Sequence, residues 1–364
     1  MSQEPIKTEA WHVYTGTGEP RKGTVQIPSA PPWRMFDGGP PVKRNFMEDE
    51  RSRRLLKDLE RARTYLVSQE EVNMVNAALY LRRPLLVTGA PGTGKSTLAY
   101  SVALELNFGP MLRWNITSHS TIKDGLYSYD AIGRLQELVP GTQPSPGNPN
   151  TADRSAHDIG EYIRLGPMGT ALLPSDRPRV VLIDEIDKSD IDLPNDLLNV
   201  FEAGEFPIAE LVRLRGERRV VEVLPADGDQ KVPIADGWVR CREFPLVILT
   251  SNAEREFSPA FLRRCLRLRI QNPEKTKLAR ILESHMPMDA NLPVEQKGRL
   301  LATRDEIIEH FLQRRVDGEM ATDQLMNAVF MASGGLAAQE SDREWKELIA
   351  RLLQPLSGRE ADAG

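Results

Sequence analysis

Cysteine is almost missing: Cys241 and Cys265 are the only two in 364 residues. That excludes a disulfide scaffold and a cysteine-rich metal site, and fits a reducing compartment, so a cytoplasmic protein is expected. Histidine is nearly as scarce, and the five (His12, His119, His157, His285, His310) show no metal-ligand spacing. No window approaches the roughly 18 apolar residues that span a bilayer, and the opening MSQEPIKTEAWH lacks the apolar stretch of a secretory leader. A soluble chain with no membrane contact is the expectation. Neither charge dominates, since 47 Lys and Arg against 52 Asp and Glu leave a formal net charge of -5; there is no global pull toward nucleic acid or anionic membrane. What is present is ordinary globular composition, 40% hydrophobic against 27% charged, which excludes a disordered chain. The length favours two packed units with extra segments. No repeat with a period of about 20–50 residues marks a solenoid.

Residues 1–48 are rich in Pro and Gly and read as an irregular arm, in which Trp11, Trp33 and Phe36 are anchors expected to dock on the core or on a neighbouring subunit. EDERSRRLLKDLERAR, from Glu48 to Arg63, reads as a charged helix with Leu55, Leu56 and Leu59 as its stripe. Its arginines alternate with acids, which is a solvated face rather than a nucleic-acid surface. Ser68 with Glu71 forms a capping-box pattern before a helix reaching Arg82. PLLVTG, MLRWN, RVVLID (179–184), PLVILTS (245–251) and LRLRI (266–270) are candidate strands interleaved with helices, the signature of an α/β parallel sheet. Residues 120–170 form a long insertion, with helix around 129–138 and a Pro/Gly/Asn loop at 140–150. RRVVEVL and KVPIADGWVRC, joined by ADGD, read as an inserted hairpin over about 217–241. Helical periods at 275–285, 295–313, 322–333 and 342–354 follow Pro273. The division expected is an arm (1–48), an α/β unit (49–273), an all-α unit (274–357) and a flexible tail (358–364).

Gly89-Ala90-Pro91-Gly92-Thr93-Gly94-Lys95-Ser96 satisfies the phosphate-loop pattern between a predicted strand and a predicted helix. Glycines let backbone N–H groups turn onto phosphate oxygens, and the following helix, beginning through Thr97, adds its positive N-terminus. Lys95 neutralises the β and γ oxygens and Ser96 ligates Mg²⁺. Asp184 and Glu185 end the third strand at the ligand-binding edge, Asp184 to hold Mg²⁺ through water and Glu185 to orient and deprotonate the attacking water. Asn252, closing the fourth strand, is placed to polarise that water; a cap on the strand exit is the plain structural alternative. Arg263 and Arg264 precede the last strand, Arg264 being the better candidate to stabilise γ-phosphate charge across a subunit interface and Arg263 an alternative support for that interface; a purely structural pairing of both is the plain alternative. Asp187, Lys188 and Asp190 read as simple helix-start charges. Asn115, Thr117 and Ser118 are placed to hydrogen-bond Glu185, and Cys265 reads as an apolar filler.

GAPGTGKS, VVLIDEID, TSN and FLRRC, in this order and ahead of an all-α region, resemble an AAA+ ATPase, and the insertions resemble its MoxR branch, over about residues 65–355. The resemblance implies a P-loop core with a five-stranded parallel sheet in the order 5-1-4-3-2. It also implies a helix-two insert, a pre-sensor hairpin and a C-terminal helical lid. ATP and Mg²⁺ are the implied cofactors, and a ring, commonly a hexamer, with nucleotide at subunit interfaces is the implied assembly. MoxR relatives resemble chaperone-like remodellers working with a protein client or a von Willebrand factor A-domain partner. LYLRRPLLVTGAPGTGKSTLAY and IDEIDKSDIDLPNDLLNVFEAGEFPI resemble bacterial members set beside such partners in conflict or defence gene sets. Two features depart from the family pattern: GEMATDQLMNAV has no arginine at the usual second-sensor position, leaving Arg314, Arg315 and Lys346 as substitutes, and the Pro-rich arm is additional.

The leading expectation is therefore an ATP-driven ring that remodels or activates a protein partner. A nucleic-acid motor needs a basic hairpin, whereas Arg218, Arg219, Lys231 and Arg240 are balanced by Glu217, Glu222, Asp227, Asp229 and Asp236 around Trp238. A GTP-using translocase stays open because no base-reading motif is recognisable. A non-hydrolysing switch is disfavoured by the joint presence of Lys95, Asp184, Glu185 and Asn252.

Overall fold

The computed structural model describes residues 7–23, 25–138, 159–214, 220–287, 293–317, 320–333 and 342–354. The 140–150 loop, the hairpin residues Glu217, Arg218 and Arg219, His157 and the 358–364 tail lie outside the described residues. In chain order the elements are α1 (Glu50–Asp58), α2 (Gln69–Leu81), β1 (Leu85–Thr88), α3 (Lys95–Leu106), β2 (Leu112–Asn115), α4 (Ile122–Leu126), β3 (Tyr127–Tyr129), α5 (Ala131–Leu138), β4 (Ile163–Leu165), α6 (Pro167–Ala171), β5 (Val180–Asp184), α7 (Leu193–Ala203), β6 (Glu205–Pro207), α8 (Ala209–Val212), β7 (Val220–Val223), β8 (Val232–Ala235), β9 (Trp238–Arg240), β10 (Leu246–Ser251), α9 (Pro259–Arg264), β11 (Leu266–Arg269), α10 (Lys275–His285), α11 (Val294–Asp317), α12 (Thr322–Ser333) and α13 (Asp342–Leu352).

Strands β5 and β10, each opening on four apolar residues, are buried at every position, as a strand covered on both faces requires. They sit inside a five-stranded parallel sheet of order β11-β1-β10-β5-β2. Alternate strand residues feed opposite cores. Val87, Leu182 and Ile248 pack with α2 and α3, while Leu86, Ile183 and Leu249 pack with α6 and α7. A third cluster, centred on Leu278, Ile308, Phe311 and Leu325, holds the C-terminal helices together. Helix α2 begins where the sequence says it should: Ser68 accepts from the Glu71 N–H, and Glu71 reaches back to the Ser68 N–H in a full capping box. Among the described residues no helix is long and apolar enough to cross a membrane.

Two expectations on elements need correction. The helix predicted over 48–63 ends at Asp58 and tightens into a 3-10 turn over Leu59–Ala62. KVPIADGWVRC is not one strand, because Asp236 and Gly237 take positive φ (52° and 74°). The chain therefore divides there, β8 pairing with β7 and β9 with β6.

On the core of its own chain the arm docks through two of the three expected anchors. Phe36 stacks on Phe244 at 5.6 Å between ring centres, and Trp11 packs edge-on against Tyr80, whereas Trp33 is 79% exposed. The stronger attachment is polar and buried. Asn76 accepts from the N–H groups of Val13 and Tyr14 and donates to the Tyr14 carbonyl. The Tyr14 hydroxyl meets Ser101 at 2.9 Å, and the fully buried Glu105 carboxylate accepts from Thr15 and Thr17. Every one of these arm groups thus has a partner on α2 or α3, which is the condition for burying them without penalty.

A second polar anchor joins the arm to the hairpin. Asp227 is fully buried and divides its oxygens between Arg44 (2.7 Å) and Arg179 (2.6 Å), whose guanidiniums lie against the Phe46 ring. Burial works against the Asp227 charge, but the two guanidiniums outweigh it and hold the carboxyl below its ordinary range. A depressed carboxyl contributes fully above the unfolded value of about 3.9 and loses that contribution as pH falls through the folded one. Asp227→Ala leaves two buried cations and is expected to cost about 3–5 kcal/mol, read as a lowered urea midpoint at pH 7; a loss within experimental error would show the cluster to be dispensable.

Candidate nucleotide site

The sheet register assembles the site. Thr88 pairs with Ser251 and Asn115 with Asp184, so the loop after β1, the acids ending β5 and the turn after β10 emerge side by side at one sheet edge. They border a cavity of about 620 Å³ lined by the loop residues Pro91–Thr97 together with Asp184, Glu185, Asn252 and Asn115, a size that suits a nucleotide-scale ligand.

The loop needs its glycines. Gly94 has φ 91° and a Cβ there would stand 2.9 Å from the Tyr65 ring; Gly92 has φ 71° and would meet the Thr322 nitrogen at 2.7 Å. The latter contact brings α12 against the loop. Helix α3 starts at Lys95, so its N-terminal N–H groups open onto the cavity. Lys95 Nζ donates to the carbonyls of Gly89 (2.9 Å) and Ala90 (2.8 Å), the latter also accepting from Thr93 Oγ1.

Asp184 is the hub. Its Oδ1 accepts from Ser96 Oγ at 2.6 Å and from Thr250 Oγ1 at 2.7 Å, and its Oδ2 accepts from Arg113 Nη2 at 2.7 Å. A hydroxyl and a carboxylate in contact are a hard-oxygen pair that fits Mg²⁺ shared with phosphate oxygens. Among the described residues no cluster of three or more His, Cys, Asp or Glu offers an alternative metal cage. Burial opposes the Arg113 charge, but the Asp184 and Tyr100 contacts reverse the balance and raise its pKa.

Glu185 takes a left-handed conformation (φ 61°, ψ 50°), a strain of about 1–3 kcal/mol for a non-glycine residue. Its N–H is held by Thr250 Oγ1 at 2.9 Å, and its carboxylate meets Lys188 Nζ at 2.8 Å. That ion pair corrects two sequence expectations. Lys188 is not a bystander, and the partner of Glu185 is neither Thr117, which bonds Ser120, nor Ser118. Asn115 shares the cavity wall and, among the described residues, makes no hydrogen bond to Glu185. Asp187 was also underrated: its Oδ2 accepts from the N–H groups of Asn252 (2.8 Å) and Glu254 (3.3 Å), pinning the turn that presents Asn252. The Asn252 amide donates to Glu254 at 3.2 Å.

Arg263 and Arg264 do not line this cavity. Arg264 pairs with Glu202 on α7, and the Arg263 carbonyl accepts from Arg83. Two of the three second-sensor substitutes are engaged elsewhere. Arg314 is spent on the carbonyls of Ala350 and Leu353, and Arg315 on that of Pro273; the Lys346 side chain lies outside the described ones. Helix α12 instead brings Thr322, Asp323 and Met326 to the cavity, and α10 brings Lys277. Burial pushes the thiols of Cys241 and Cys265 up to about 12, so neither is a reactive group at neutral pH. Arg113 escaped the sequence reading, although in β2 it stands two residues before Asn115 and so shares its face.

The family described as AAA domain (dynein-related subfamily) matches residues 84–265, half of the chain. A search among curated proteins finds no match. Among solved structures, that of C. elegans PCH-2 aligns at 14% identity over 83% of this chain and 67% of that one, with a TM-score of 0.34.

Proposed function

Because the chain belongs to the AAA domain family, dynein-related subfamily, and is thereby an ATPase, we propose that it hydrolyses ATP with Mg²⁺ at the interfaces of a ring and uses the cycle to remodel or activate a protein partner, as the MoxR-like branch does. The observation that carries the reading is the contact of Ser96 with Asp184 at the mouth of a phosphate loop, beside Glu185 and Asn252. In it Lys95 and the α3 N-terminus bind phosphates, Ser96 and Asp184 hold the metal, Glu185 takes the proton of the attacking water, Asn252 orients that water, and Arg264, supported by Arg263, completes a neighbour's site. Bound Mg²⁺ would neutralise charge on the β and γ oxygens.

The strand order and the C-terminal helices support the finer assignment, in which 49–273 is the AAA+ core with an insert at 120–170 and a hairpin at about 217–241, and 274–357 is its lid. Within the hairpin region Lys231 is paired with Glu161 and Arg240 with Glu205, which favours a protein over a nucleic-acid partner. A bacterial defence setting and a von Willebrand factor A-domain partner follow from the MoxR resemblance, a cytoplasmic location from the scarcity of cysteine, and all belong to the same proposal.

Lys95→Ala tests the site. It removes charge-assisted hydrogen bonds worth about 1.5–3 kcal/mol each to phosphate, so ATP affinity is expected to fall at least about hundredfold in a fluorescent-nucleotide titration at physiological salt. Wild-type affinity in that variant would remove the phosphate-loop assignment.

A further inference from the structure

Both acids that end β5 are met by a basic residue: Glu185 by Lys188, Asp184 by Arg113. The Arg113 pair is the unexpected one, since a guanidinium stands on the carboxylate assigned to the metal. Asp184 cannot turn, because Ser96 and Thr250 hold one oxygen and Arg113 the other. Its orientation is already secured by the two hydroxyls, so the distinctive contribution of Arg113 is its charge. Strand β2 is the sheet edge, and the Arg113 side chain is 44% exposed against 9% for Asp184. The acid is therefore sheltered while its cation faces the cavity and solvent.

We propose that Arg113 is a positioning residue that sets the divalent-metal requirement of the nucleotide site, cancelling the Asp184 charge so that the carboxylate captures Mg²⁺ only together with nucleotide phosphates. The proposal rests on the reading of Ser96 and Asp184 as the metal-binding pair. Its sign follows from electrostatics. A unit positive charge within a few ångströms of the ion's place repels a divalent cation in proportion to both charges, and the low exposure of Asp184 limits screening. Phosphate oxygens restore the missing negative charge. Removing the guanidinium must then tighten metal binding, whereas loss of a merely structural contact would loosen it.

The test titrates MgCl₂ from an EDTA-containing solution into the full chain with a fixed amount of fluorescent ATP analogue, and reads the Mg²⁺ midpoint of the gain in affinity. Arg113→Met is expected to lower that midpoint about tenfold, the scale of one unit charge at partly screened range. Arg113→Lys, which keeps the charge, should stay within about twofold of wild type. Arg113→Gln replaces the Met variant if that one does not fold. Asp184→Asn should raise the midpoint. If it leaves the midpoint unchanged, the metal-pair reading fails, and this inference with it. If Asp184→Asn raises the midpoint while Arg113→Met leaves it unchanged or raised, only the role of Arg113 is overturned. A fall in metal-free nucleotide affinity in Arg113→Met larger than its midpoint shift would put the guanidinium on the phosphates and overturn the proposal as well.

Discussion

Replacing Glu185 by glutamine is expected to leave ATP and Mg²⁺ bound within about twofold of wild type while slowing turnover by about 10²–10⁴, the span of a lost general base. The separation of the two effects comes from the geometry. Glu185 follows Asp184 but leaves the strand through a left-handed turn, so its side chain takes no part in the Ser96–Asp184–Thr250 cluster. Glutamine keeps the volume, the N–H bond to Thr250 and an acceptor for Lys188, and loses only the capacity to take a proton. Phosphate release and nucleotide binding measured on one preparation decide the matter. Normal turnover would move the base to another residue, and weakened binding would mean that Glu185 shapes the site rather than the reaction.

Arg264→Ala is expected to keep nucleotide in its own loop and to lose about 10³–10⁵ in kcat, the contribution of an arginine brought to a transferring phosphoryl group. Arg264 stands away from the cavity of its own chain and is engaged by Glu202 in a surface pair, the kind of contact that is readily exchanged for a stronger anion. Mixing reads the geometry directly. Where an Arg264→Ala chain supplies the loop and a Lys95→Ala chain supplies the arginine, one junction is whole. Two variants that are each inactive alone should then regain hydrolysis together, provided that subunits exchange and sites fire independently. Full activity of Arg264→Ala alone, or of a dilute monomer, would show that no arginine is delivered in trans.

Much of this site was legible because its chemistry is written in contiguous residues. GAPGTGKS and the DE pair announce themselves where an apolar strand stops, and a strand buried on both faces is hard to mistake. Asp187, Lys188 and Arg113 were not legible for the converse reason. Each is an ordinary charged residue whose role comes from what lies across the sheet or turn: Asn252 is 65 positions from Asp187 and Asp184 is 71 from Arg113. The division of KVPIADGWVRC was legible in principle, since Asp236-Gly237 is a turn dipeptide that breaks the alternation of Val232 and Ile234, and both residues take positive φ. The hydrogen bonds that tie the arm to Asn76 and Glu105 were not legible either, because no hydrophobic pattern reveals them.

The attachment of the arm has a consequence for biosynthesis. Tyr14 and Ser101 are 87 positions apart, so at about 5–20 residues per second the arm waits about 4–17 s after its own synthesis before its docking helix exists. Throughout that interval Val13 and Tyr14, both buried in the finished protein, are exposed together with the backbone donors that Asn76 and Glu105 will accept. A nascent chain stalled before α3 presents these groups to whatever holds unfolded chains near the ribosome.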